Sequence, residues 1–100
     1  LYTAIEIIKS SSDKILGTYP DKKFIENLKQ IIEKTEPSAT NIHHIHLHQY
    51  GDHSELTLHI ELPKNILLEE AHEIVTKIEN SLREKLNIEP TIHYEPQPRA

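Results

Sequence analysis

The chain has 100 residues, 36% hydrophobic and 27% charged, with a net charge of −5 when histidine is neutral, which suits one compact domain and leaves no room for two. The negative balance and the lack of any basic run argue against nucleic acid or an anionic membrane as partner. With no cysteine, disulfides, thiolate zinc sites, iron–sulfur ligation and cysteine nucleophiles are excluded together. No apolar run approaches the roughly 20 residues that a spanning helix needs. Glu6, Lys9, Asp13 and Lys14 break up the first stretch, so it does not read as a signal peptide. Methionine is absent even at position 1, where Leu1 stands, and the chain is therefore expected to be a piece of a longer one.

Leu1, Ala4, Ile5, Ile8, Ile15 and Leu16 recur at helical spacing up to Gly17 and predict an N-terminal helical connector. Tyr19-Pro20-Asp21 then forms a turn with Asp21 as helix cap. Phe24, Ile25, Leu28, Ile31 and Ile32 give a helical stripe to about Lys34, which Pro37 ends. From Asn41 to Tyr50 the pattern alternates, with Ile45 and Leu47 on one side and His44, His46 and His48 on the other. Gly51-Asp52-His53 makes the turn into a second alternating strand. There Leu56, Leu58, Ile60 and Leu62 face in, and Thr57, His59 and Glu61 face out.

Pro63 breaks that strand. Leu67, Leu68, Ala71, Val75, Ile78, Leu82 and Leu86 mark a long amphipathic helix. A last strand from Ile88 to Tyr94 places Ile92 and Tyr94 inward and His93 and Glu95 outward, and Pro96, Pro98 and Ala100 read as a frayed tail. The expected fold is α+β in the order α-β-β-α-β, a three-stranded sheet with two helices on one face.

Eight histidines are the outstanding feature of the composition. The outward sheet face would carry His44, His46, His48, His59, His93 and Glu95, with Glu61 beside them. Cross-strand neighbours lie about 5 Å apart, so imidazoles on adjacent strands could share one ion, most simply zinc. A single histidine on such a face is usually only a solvated polar residue; the cluster is what raises metal binding above that reading. Catalysis has no comparable support. His72-Glu73 begins like a zinc-protease motif, but Thr76 stands where the second histidine belongs. Two glycines, Gly17 and Gly51, build neither a phosphate-cradling loop nor a nucleophile elbow.

The stretch from His43 to Pro96 resembles the C-terminal cytoplasmic domain of the cation diffusion facilitator family. The resemblance rests on His43 followed by the Gly51 turn, on His59 with the later Ala71-His72 pair, and on the ending Ile92-His93-Tyr94-Glu95-Pro96. With the Leu16-Gly17 ending and the Pro-Asp-led helix, it spans roughly residues 15 to 96. It implies a ferredoxin-like, metallochaperone-like fold, with residues 1–18 as connector from a last membrane helix, 19–96 as the metal-binding domain and 97–100 as tail. It further implies zinc ligation through His43, His59, His72 and His93, with Glu95 bridging two ions. His46 and His48 stand where family members more often carry other polar or basic residues, and are added as secondary candidates.

The resemblance also implies a homodimer on the cytoplasmic side of the membrane, whose metal occupancy is coupled to transport in a transmembrane part of the same polypeptide. Imidazole-rich, thiol-free ligation ranks zinc first and admits cobalt, nickel, cadmium or copper(II). The alternatives are a ferredoxin-like dimerisation or scaffold domain with incidental metal binding, and a stand-alone metal chaperone. One feature resists simple alternation. It puts His43 on the side of Ile45 and Leu47, so a ligand role for His43 requires a site at the sheet edge or a strand bulge.

Overall fold

The computed structural model describes residues 20–98, so the connector expected over 1–18 lies outside them. Five elements follow in order: helix α1 (Lys22–Thr35), strands β1 (Thr40–Tyr50) and β2 (His53–Leu62), helix α2 (Leu68–Leu86) and strand β3 (Glu89–Pro96). The sheet order is β1-β2-β3, with β2 antiparallel to β1 and parallel to β3. The hairpin link is short, and Gly51 takes φ 63° there, a left-handed setting that glycine adopts without steric cost. A parallel neighbour cannot be reached by a tight turn, and α2 supplies the crossover from β2 to β3.

Asp21 caps α1 as expected: its side chain accepts from the Phe24 amide at 2.8 Å, satisfying one of the four donors a helix start leaves open. Leu28, Ile31 and Ile32 form its buried stripe. Helix α2 buries Ala71, Val75, Ile78 and Leu82, carries Glu69 and Glu70 in its first turn and Arg83 and Lys85 in its last, and ends on Asn87 at φ 53°. Those charges oppose the helix dipole at each end, and asparagine tolerates the left-handed cap.

The core lies between the helices and one sheet face. Leu56, Leu58, Ile60 and Leu62, all inward on β2, are at most 2% exposed. They pack in one cluster with Leu28, Ile32, Ile78 and Leu82. No polar or charged residue is buried among the described residues. The opposite face, with Thr57, His59 and Glu61, stays open.

Three details depart from the pattern. Leu67 and Leu68 are 65% and 77% exposed rather than part of the core, because they precede the turn, at Ala71, where α2 first meets the cluster. Tyr94 keeps the inward register beside Ile60 but is 42% exposed; it lies toward the end of β3 on a shallow groove that it lines with Leu62, Leu68 and Ala71. Pro96 belongs to β3 rather than to a tail. Gln97 beyond it is tied down: its amide donates to the Leu62 carbonyl at 2.8 Å and its side chain to Thr40 Oγ1 at 3.0 Å.

Candidate metal centre

Strand β1 does not alternate evenly. Thr40 pairs with Glu61, His43 with His59 and His46 with Thr57, so each step inserts one extra residue into β1. These are two β-bulges, and Asn41 at φ 48° and His44 at φ 49° mark them. Left-handed backbone costs a non-glycine residue about 1–2 kcal/mol, least for residues such as Asn and His. The second bulge turns His43 to the open face, directly across from His59, while Ile45 stays 5% exposed in the core. The obstacle that alternation posed for His43 is thereby removed.

The result is a dense group of imidazoles on the open face. The His44 ring lies 4.8 Å from both the His43 and His59 rings, His43 lies 5.4 Å from His59, and His93 stacks on His59 at 5.0 Å. One ring nitrogen from each of His43, His44 and His59 falls within 4.8 Å of the others. Glu95 joins from β3. The His59 Nδ1–H donates to Glu95 Oε1 at 2.8 Å, and the same oxygen is 3.9 Å from His43 Nε2. His43 Nδ1–H donates to the Asn41 carbonyl at 2.6 Å. Since carboxylate and carbonyl oxygens only accept, neutral His43 and His59 each keep the lone pair on Nε2.

The ligand set implied by the sequence divides in the structure. His43, His59, His93 and Glu95 come together. His72 sits exposed in the helix layer near the start of α2, and the ring contacts that join His43, His44, His59 and His93 do not include it. His46 faces outward opposite Thr57 and His48 opposite Glu55, further along the face toward the hairpin. Two residues outside that set join the site. His44 is delivered by its own bulge. Asn41 positions others, holding His43 through its carbonyl and Glu61 through its side-chain amide at 3.0 Å. An asparagine two residues ahead of a candidate ligand is the one sequence signal for the latter, since it favours turns and left-handed backbone.

Residues 20–97 match the family model of the cation efflux protein, cytoplasmic domain. The chain belongs to this family. Over 86 residues it is 30% identical to an uncharacterized transporter of Methanocaldococcus jannaschii, covering 86% of this chain and 30% of that one. Over 62 residues it is 32% identical to the zinc transporter ZitB of Pectobacterium atrosepticum, covering 62% of this chain and 19% of that one. It thus spans less than a third of either relative. Among solved structures, CzrB aligns with a TM-score of 0.70 at 22% identity, covering 80% of this chain and 100% of that one. The metal-bound C-terminal domain of the CzcD transporter from Thermotoga maritima aligns at 0.65 and 22%, covering 81% and 99%. These alignments show the ferredoxin-like fold of cation efflux cytoplasmic domains. No helix among the described residues is long and apolar enough to cross a membrane.

Within this cation efflux domain, the donor chemistry fits a divalent cation. Nitrogens around a tetrahedral zinc stand about 3.4 Å apart for Zn–N bonds of about 2.0–2.1 Å; ligand atoms of His43, His44 and His59 lie within 4.8 Å of one another, so side-chain adjustment has a short distance to close. A hydrogen-bonded carboxylate behind a histidine, as Glu95 stands to His59, fixes the tautomer and raises ligand basicity. Glu61 and Glu95 are neighbours across β2 and β3, and a cation relieves their mutual repulsion.

The Glu95 carboxyl is held below the usual carboxylate value chiefly by the His59 hydrogen bond, with further help from charge on His43, His59 and His44 and against some desolvation. A carboxyl depressed in the folded state adds stability that is complete above the unfolded value and is lost as pH falls through the folded one. Carbon-detected NMR should therefore find Glu95 titrating below an ordinary glutamate, and His59→Ala should move its midpoint upward. A midpoint indifferent to that substitution would assign the depression to another cause.

Proposed function

We propose that this chain is the metal-sensing cytoplasmic domain of a divalent-cation exporter, that zinc is its foremost ligand, and that metal occupancy is coupled to the pairing of two copies. The convergence of His43, His44, His59, His93 and Glu95 on one open face carries this reading. Residues 1–18 then serve as the lead from the membrane part of the same polypeptide, and 19–96 as the metal-binding domain, extended by Gln97. Cobalt, nickel or cadmium would satisfy the same donors.

The coupling follows from charge and surface. Each copy carries −5, so two copies repel until cations at the carboxylate-bearing face reduce the penalty. Leu67, Leu68 and Tyr94 are large apolar residues left 65%, 77% and 42% exposed, which suits a subunit contact. His72 follows Leu67 and Leu68 closely in sequence, and a contact built on those leucines would place the His72 of each copy near its partner. The same exposed residues favour a second reading, a scaffold that dimerises without metal.

The discriminating experiment strips the chain with chelator and titrates zinc calorimetrically while small-angle scattering follows the dimer. Saturable binding of one or more ions per chain, with a change in dimer shape, is the expected result. Ligation requires unprotonated imidazoles, so the affinity should weaken as pH is lowered from about 8 to about 5.5. A dimer whose shape and stability ignore saturating zinc would leave the scaffold reading in place.

A further inference from the structure

We propose a second, weaker divalent-cation site at the hairpin end of the same sheet face, formed by His48, His53 and Glu55. It does not depend on the reading of the first cluster. Beyond the bulges the β1–β2 register is regular, and Leu47 pairs with Leu56, His48 with Glu55 and Tyr50 with His53. Leu47 and Leu56 point to the core, so the alternating residues His48, Tyr50, His53 and Glu55 share the open face. His53 Nε2 is 3.2 Å from Glu55 Oε1, and His48 stands directly across from Glu55, at about 4.5–5.5 Å between Cβ atoms. Two imidazoles and a carboxylate thus rise from two paired strands whose backbone spacing is fixed by the ladder.

The surroundings admit a cation. The side chains of His53 and Glu55 are 54% and 50% exposed, so an ion reaches them without opening the fold. Glu89, beside Glu55 across β2 and β3, is bound to Arg83 at 2.8 Å; the pair is close to neutral, and Arg83 does not face the site as an uncompensated charge. Asp52 in the turn adds a negative charge next to His53. The His48 ring lies nearly parallel to Tyr50, at 6.4 Å and 17°, and capture requires it to turn away. The His48 ring is half-buried, so that move also gives up contact with its neighbours. That loose contact and the need to gather the donors make this the weaker site, and three protein ligands leave room for water at the ion.

His53 and His59 are six residues apart on β2, about 20 Å along an extended strand. That exceeds the screening length of about 8 Å at physiological salt, so the two sites fill independently. The face then responds to cation over two concentration ranges instead of one. Zinc, cobalt, nickel and copper(II) all suit a two-imidazole, one-carboxylate set.

The test is a zinc titration of the isotopically labelled 100-residue chain followed by NMR, in wild type and in a His43→Ala/His59→Ala variant that lacks the first cluster. Saturable shifts at Tyr50 to Glu55 and in the His48 and His53 imidazoles are expected in both, at higher zinc than the first cluster requires. Adding His53→Ala and Glu55→Gln should weaken them about tenfold or more. Hairpin signals that stay still, or that shift equally without His53 and Glu55, overturn the proposal. If the variant fails to fold, the same comparison in wild type, past saturation of the first cluster, decides it. Shifts at the hairpin with none at His43 or His59 would support this site and remove the first.

Discussion

His59→Ala is expected to abolish the tight class of zinc binding, weakening it by at least about 100-fold, or about 2.7 kcal/mol. His59 is the hub of the face. Its ring contacts His43, His44 and His93, and its Nδ1–H holds Glu95. Without it, His43 and His44 on β1 are separated from His93 and Glu95 on β3 by a gap the width of the central strand, and strands lie about 4.7–4.9 Å apart. Only the approach of Glu95 Oε1 to His43 Nε2, at 3.9 Å, then lets one ion reach both edges, and it does so without the central imidazole.

Loss of a positioning carboxylate alone, as in Glu95→Gln, should cost less, about 10–100-fold. The metal-free protein should barely notice the histidine change, because His59 contributes to an open face while the core lies on the other side of the sheet. The check is calorimetric titration beside thermal melting. Zinc at a hundredfold excess over its dissociation constant should stabilise the wild type by about 2.7 kcal/mol, or about 10–20 °C for a domain this size, and His59→Ala should show none of it. Undiminished binding in the variant would move the metal site off this face.

What the sequence disclosed and what it concealed divide along physical lines. Helices α1 and α2 and strand β2 are regular elements whose apolar residues keep one period from end to end, so their buried faces were readable: Leu28 and Ile32, Ile78 and Leu82, and the run from Leu56 to Leu62. The cap at Asp21 was readable because its chemistry is local. The site was only half readable, because it is built where β1 departs from its period. Asn41 and His44 each add a residue, and every bulge inverts the faces of the residues before it. Strict alternation therefore set His43 among the core residues and His44 on the outer face, and it gave no reason to expect both rings beside His59. Leu67, Leu68 and Tyr94 show the converse limit, since apolar residues at the right phase are buried only where the opposing layer extends over them.

Leu58→Ala should be the most damaging single change to the fold, at about 2–5 kcal/mol for an emptied leucine site. Leu58 is fully buried on the inner face of the central strand, next in sequence to His59 and in register with Ile92 of β3. Domains of this kind hold about 5–15 kcal/mol in all, so the variant should melt far lower and populate unfolded chains under mild denaturant. The position also tests whether core and metal face act as one unit, because residues 58 and 59 leave the same strand in opposite directions. Zinc that binds the folded chain alone should restore up to about 2.7 kcal/mol at a hundredfold excess over the dissociation constant. Urea unfolding with and without zinc reads this directly: recovery is expected in Leu58→Ala and absent in Leu58→Ala/His59→Ala. A midpoint that zinc leaves unchanged in Leu58→Ala, in a variant that calorimetry shows to bind zinc, would mean that the ion binds equally well when the sheet is lost. The imidazoles would then act as loose chelators, and the bulged, ordered face would have no part in holding the metal.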